Sequence, residues 1–132
     1  MNLAHFLKCI RKKKWKARVK NLFDLPGVQV TAAKEEIFET LLTGDDGLRV
    51  ERIISHGQTT PTGQWYAQDM DEWVTVLQGS ARIGYPDGSE ISLESGGHLF
   101  LPKGLRHRVA YTSSPCLWLA VFGRNLKPNS HC

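Results

Sequence analysis

Beyond residue 35, apolar and polar residues alternate in short runs instead of recurring every three or four positions. The stretch Leu48-Arg49-Val50-Glu51-Arg52-Ile53-Ile54-Ser55 and the stretch Arg82-Ile83-Gly84-Tyr85 are of this kind. A two-residue period is that of a strand with one packed face and one polar face. On this basis strands are predicted over 19–23, 36–42, 48–55, 64–68, 73–77, 81–85, 90–93, 98–101, 106–112 and 116–122. Residues 36–42 also admit a helix, but the hairpin-like Thr43-Gly44-Asp45-Asp46-Gly47 that follows favours the strand. Turn signals separate the other runs: Asp24-Leu25-Pro26-Gly27, the polar loop 57–63 around Pro61, Pro86-Asp87-Gly88, Gly96-Gly97, and 102–105. Roughly ten short strands at ~8–12-residue spacing point to an all-β sandwich or barrel.

A chain of 132 residues is long enough to bury a core without staples and is read as one domain. With 41% apolar and 23% charged residues its composition is that of a soluble globular protein. No apolar run approaches the ~18 residues of a membrane span, and charges follow the short apolar start too closely for a secretory signal. Cys9, Cys116 and Cys132 are odd in number and show no metal-like spacing, which favours a reducing compartment and a cytoplasmic location. Cys116 reads as a buried free thiol.

The net charge of +4 conceals an asymmetry. Residues 1–20 hold eight bases and no acid, leaving nine bases against 13 acids in the remainder, a net charge of −4. The chain is therefore expected to be an acidic domain over 19–125 with a basic arm, helical or disordered, over 1–18 and a tail over 126–132. The basic stretch 8–20 is of a kind that contacts anionic surfaces, but no helix-turn-helix or RNA-binding aromatic signature accompanies it.

Chemistry concentrates between Glu72 and His107. The pattern Gly-x5-Pro-x-Gly-x2-His is carried by Gly96, Pro102, Gly104 and His107, and Glu-x6-Gly by Glu72 and Gly79. These residues resemble the two motifs of the cupin superfamily, a double-stranded β-helix of jelly-roll type. The second motif departs only at its last position, where Tyr111 stands for Asn. In the first, Tyr66 and Gln68, or the residues one position earlier with the longer spacing, fall where two histidines belong. The stretch from Arg52 to Gly123 also resembles small bacterial single-domain cupins, through Thr60-Pro61-Thr62-Gly63-Gln64-Trp65-Tyr66, Glu72-Trp73-Val74 and His107-Arg108-Val109.

The resemblance implies a pocket inside the barrel and, in its standard form, a divalent ion (Zn, Fe, Mn or Ni) held by three imidazoles and a carboxylate. Here the candidate metal ligands are Gln68, Glu72 and His107, with His56 as an outside candidate. Trp65, Tyr66, Trp73 and Phe100 are candidate walls of a pocket for a small organic molecule. Alternation places Arg106 and Arg108 on the face opposite His107. Three readings stay open: a metal-binding cupin with an altered ligand set, a metal-free module that binds or senses a small ligand, and a partner-binding protein working through its basic arm. In the first two, Glu72 beside His107 is also a possible general acid/base pair. Homodimerisation through sheet packing is a further implication of the resemblance. Phosphate loops, nucleophile elbows and His-Glu-x-x-His sequences are absent.

Overall fold

The structure, a computed structural model, describes residues 15–25 and 35–129. Most of the basic arm, Cys9, Cys132 and the Pro26-Gly27 turn lie outside these residues. Eight strands run β1 Ile37–Thr43, β2 Arg49–Ser55, β3 Asp71–Gln78, β4 Ser80–Gly84, β5 Glu90–Glu94, β6 His98–Leu101, β7 Arg108–Thr112 and β8 Cys116–Gly123. They form two antiparallel sheets, one in the order β1-β2-β8-β3-β6 and one in the order β5-β4-β7. This is the all-β architecture expected from the alternation, in the jelly-roll form that the resemblance implies. Among the described residues the only helical piece is a 3-10 turn, Asp45–Gly47, at the tip of the β1–β2 hairpin.

The two sheets face each other across one core. Val74, Val76, Trp118, Ala120, Phe122 and Leu101 enter it from the larger sheet, and Ala81, Ile83 and Leu93 from the smaller. In β8 the inward set is Trp118, Ala120 and Phe122, at every second residue, as the strand period requires. Cys116 is a buried free thiol in the same cluster, and burial pushes its pKa up to about 12. The β3–β4 connection needs Gly79: its φ is 88°, and a Cβ there would stand 2.6 Å from the Pro115 carbonyl oxygen.

Two expected strands are not strands. Residues 19–23 are held differently, by Arg52 on the outer face of the large sheet. The Arg52 guanidinium donates to the carbonyls of Leu22 (2.9 Å) and Asp24 (2.6 Å) and, through Nε and Nη2, to Glu39 (2.9 and 2.6 Å). Residues 64–68 touch a sheet at one point only, a bridge between Tyr66 and His107. The glycines and proline that punctuate 57–63 stop that segment from continuing as a ladder. It instead follows β7 through isolated bonds: Thr60 N–H to Val109 O (2.9 Å), Val109 N–H to Thr60 Oγ1 (3.0 Å) and Thr112 Oγ1 to Gln58 O (2.7 Å).

Candidate functional site

Between the sheets lies a cavity of about 140 Å³. Its polar lining consists of Glu36, Glu51, Tyr66, Gln68, Glu72 and His107. Its apolar walls include Phe38, Ile53, Val74, Ile83, Trp118 and Phe122. Each polar residue arrives by a separate local cause. Glu72 sits in β3 opposite Leu101 on one side and Phe122 on the other, so it shares their inward face. Glu51 stands two residues from Ile53 in β2 and points the same way. His107 immediately precedes β7, after the turn in which Leu105 N–H donates to Pro102 O (3.1 Å). Gly104, at φ 79°, closes that turn and donates its N–H to Gln68 O (2.8 Å), which ties the Gln68 segment to the His107 turn. The glycine and proline of the second motif thus act on both sides of the cavity.

The His107 ring is 5% exposed, and its Nδ1 lies 2.9 Å from the Leu105 carbonyl. A carbonyl only accepts, so Nδ1 carries a proton, and in the neutral ring Nε2 carries the lone pair. The Tyr66 ring lies 5.8 Å from the His107 ring at 35°. Glu72 is 7% exposed, and its pKa is raised to about 7, chiefly by burial and also by the nearby Glu51, with Arg49 opposing. Arg49 places Nε 2.6 Å from Glu51 Oε1 and its guanidinium 4.2 Å from the centre of the Phe122 ring. At the other side, Trp118 Nε1 donates to Ser55 Oγ (3.1 Å), and Ser55 Oγ donates to Glu36 (2.9 Å). Burial raises the pKa of Glu36, and the Ser55 bond pulls it back.

The EutQ-like cupin domain model matches residues 48–121. The chain belongs to this cupin family. A solved structure from Ralstonia eutropha, of a protein named as a candidate mannose-6-phosphate isomerase, is 41% identical over 82% of this chain and 99% of that one, with TM-score 0.73. A cupin-2 domain protein from Shewanella frigidimarina is 21% identical over 67% of this chain and 80% of that one, with TM-score 0.56. The Clostridium difficile EutQ protein is 19% identical over 69% of this chain and 70% of that one, with TM-score 0.55. The last two show the fold alone. Among curated proteins none matches.

Of the residues singled out in the sequence, the cupin barrel gathers Tyr66, Gln68, Glu72 and His107 around one cavity. The other aromatic candidates are not in it. Trp73 and Phe100 pair across β3 and β6 on the outer face, because neighbours of the inward Glu72, Val74 and Leu101 must point outward. There they flank a shallow groove with Val121 and Leu126, and the Trp73 indole donates to His98 Nδ1 (3.2 Å). Trp65 lies under the Arg106 guanidinium, 5.4 Å from its ring centre. His56 ends up beside Ser114 (3.4 Å from Nδ1 to the hydroxyl), away from the cavity lining. Arg106 and Arg108 do not line it either. Glu36 and Glu51 were not among the residues singled out. Glu51 carried a signal, a charged residue in phase with Ile53, whereas Glu36 carried none.

The divalent ion that the cupin family implies finds a poor set of donors here. No group of three His, Cys, Asp or Glu side chains among the described residues is placed to share an ion. One imidazole faces the cavity, and Tyr66 and Gln68 are weak donors where imidazoles would stand. These residues do not fit a resident metal.

Proposed function

We propose that this cupin is a small-molecule-binding protein whose cavity takes a compact organic ligand without a resident metal ion, with Glu72 and His107 as its polar end. The observation that carries this reading is that both side chains are more than nine-tenths buried, both face the cavity, and both keep hydrogen-bonding capacity unspent. Buried polar groups are normally satisfied, and groups left open at the wall of a cavity await a partner. The cavity of about 140 Å³ is close to the engineered cavity of about 150 Å³ that holds one benzene. That size, and a lining without arginine or lysine among the described residues, do not favour the phosphorylated hexose in the name of the Ralstonia relative. No helix of the described residues is long and apolar enough to cross a membrane. The buried free thiol of Cys116 supports work in the cytoplasm.

The test combines elemental analysis of the tag-free full chain with titration of Zn, Mn, Fe(II) and Ni, followed by binding of neutral and charged organic probes no larger than a benzene derivative. The expected result is substoichiometric metal, no micromolar site, and retention of at least one probe class. A stoichiometric metal that is lost in His107→Ala would overturn the metal-free reading. Failure of every probe class would overturn the pocket itself.

A further inference from the structure

We propose that the cavity selects a compact organic ammonium ion, whose charged group sits on the Glu72 carboxylate while its apolar body lies against Val74, Trp118 and Phe122. This rests on the reading that the cavity is a small-molecule site, and it adds the chemical class of the ligand.

The first support is the balance of donors and acceptors. Three carboxyl groups line the cavity, and no lysine or arginine does so among the described residues. Two of the three are engaged: Glu36 accepts the Ser55 hydroxyl, and Glu51 lies against Arg49. Glu72 makes neither a hydrogen bond nor an ion pair with any described residue. His107 has spent its Nδ1 donor on Leu105, and its neutral ring offers only the Nε2 lone pair. The Trp118 indole N–H is likewise spent on Ser55. What remains open on Glu72 and on the neutral His107 ring is therefore acceptor capacity, while Gln68 and Tyr66 in the same lining can each donate as well as accept. A ligand seated against Glu72 must bring a donor, and an ammonium group brings up to three.

Charge separates an ammonium from a neutral donor such as an alcohol. Ionised Glu72 is largely desolvated, and the attraction of Arg49 offsets this only in part, so its charged form is disfavoured. A hydroxyl supplies one hydrogen bond but leaves that charge in place, whereas an ammonium compensates it. An anion meets the reverse situation. Arg49, the cation that acts on Glu72, is committed to Glu51 at 2.6 Å and stacked on Phe122. Drawing it to an anionic ligand would leave the carboxylate of Glu51 facing the cavity unpaired, beside Glu72.

Size limits the rest of the molecule. A volume of about 140 Å³ admits roughly a benzene's worth of atoms, an amine of short alkyl or single-ring kind. The walls suit such a body, since Val74, Trp118 and Phe122 are all at most 5% exposed and present carbon surface.

The experiment uses the full chain at pH 8 and three probes of one shape and different charge: n-butylammonium, n-butanol and butyrate. Binding is read from the ¹H–¹⁵N signal of the Trp118 indole. The expected result is that n-butylammonium binds about ten-fold or more tightly than n-butanol, with no shift from butyrate. In Glu72→Gln the ammonium preference over n-butanol should largely vanish, with an unchanged spread of main-chain ¹H–¹⁵N signals showing that the variant is folded. Equal affinity for the ammonium and the alcohol, tightest binding of butyrate, or a preference that survives Glu72→Gln would overturn the charge selection and leave the pocket reading standing. No response to any of the three would overturn both.

Discussion

Tyr66 and His107 exchange both of their main-chain hydrogen bonds, Tyr66 N–H to His107 O at 2.8 Å and His107 N–H to Tyr66 O at 3.0 Å. This isolated bridge joins a loop to the approach of β7 and sets two cavity side chains at one level. The Gly104 N–H, donated to Gln68 O, fixes a third. The polar end of the cavity is thus positioned by main-chain bonds and does not depend on side chains gripping one another. Such a frame responds to backbone substitutions at a distance.

Gly104→Ala tests that frame. A Cβ at Gly104 meets nothing within 4 Å, so steric overlap plays no part, and the cost lies in the φ of 79°. Left-handed backbone costs an L-residue roughly 1–2 kcal/mol. Urea unfolding should show a loss of about that size. The Trp118 indole signal should report weaker probe binding as the Gln68 and His107 segments loosen together. A loss of stability with unchanged probe affinity would mean that the turn does not position the site.

Glu72 should make the stability of the protein fall as pH rises. Its pKa is raised from 4.5 to about 7 in the folded chain, so the folded state holds the proton where the unfolded state has released it. Below 4.5 both states are protonated and there is no penalty. Between 4.5 and about 7 the penalty grows, and above that it is complete, at roughly 3 kcal/mol. Glu72→Gln removes the titration. The variant should match the wild type near pH 4 and exceed it by ~2–3 kcal/mol at pH 8 in urea unfolding. Parallel pH profiles for the two proteins would rule out a buried, unpaired carboxyl.

The strands and one end of the site were legible in the sequence because both rest on local chemistry. Alternation marks strands, and the Gly-Pro-Gly spacing before His107 marks a turn that aims one imidazole inward. What was not legible depends on which of two alternating sets faces the core. In β2 one set is Arg49, Glu51, Ile53 and Ser55 and the other is Val50, Arg52 and Ile54. Each mixes charged and apolar residues, so composition does not choose the phase. The structure turns Glu51 and Ile53 to the cavity and Arg52 to the outer face. For Trp73 the phase was available, since the residue after an inward Glu72 must face outward. Glu36 reaches the cavity through a bond to Ser55, 19 residues away, which no local pattern reports.

Arg52 is expected to be a main support of the fold although it lies outside the site. Its guanidinium ties the carbonyls of Leu22 and Asp24 and the carboxylate of Glu39 to one point of the outer sheet face. Removing it strands Glu39 and two carbonyls together. Arg52→Ala should cost about 2–4 kcal/mol in urea unfolding. Arg52→Lys should recover little of this, because one ammonium cannot reproduce the planar fork that spans three acceptors. Full rescue by lysine would show that charge alone matters there.

Ser55 couples the far wall of the cavity to its acid. Its hydroxyl accepts from the Trp118 indole at 3.1 Å and donates to Glu36 at 2.9 Å, and the residue is fully buried. Ser55→Ala removes both bonds at once while changing little volume. The indole donor is then buried without a partner, which costs ~1–3 kcal/mol. Glu36 loses the one contact that holds its pKa down against burial, so its titration should move further upward. Side-chain carboxyl NMR of Glu36 and urea unfolding of the same variant would check the two effects separately. Ser55→Thr keeps the hydroxyl and should preserve the Glu36 titration even if the added methyl lowers stability. If Ser55→Ala leaves that titration in place, the hydroxyl does not control the acid, and burial alone sets its pKa.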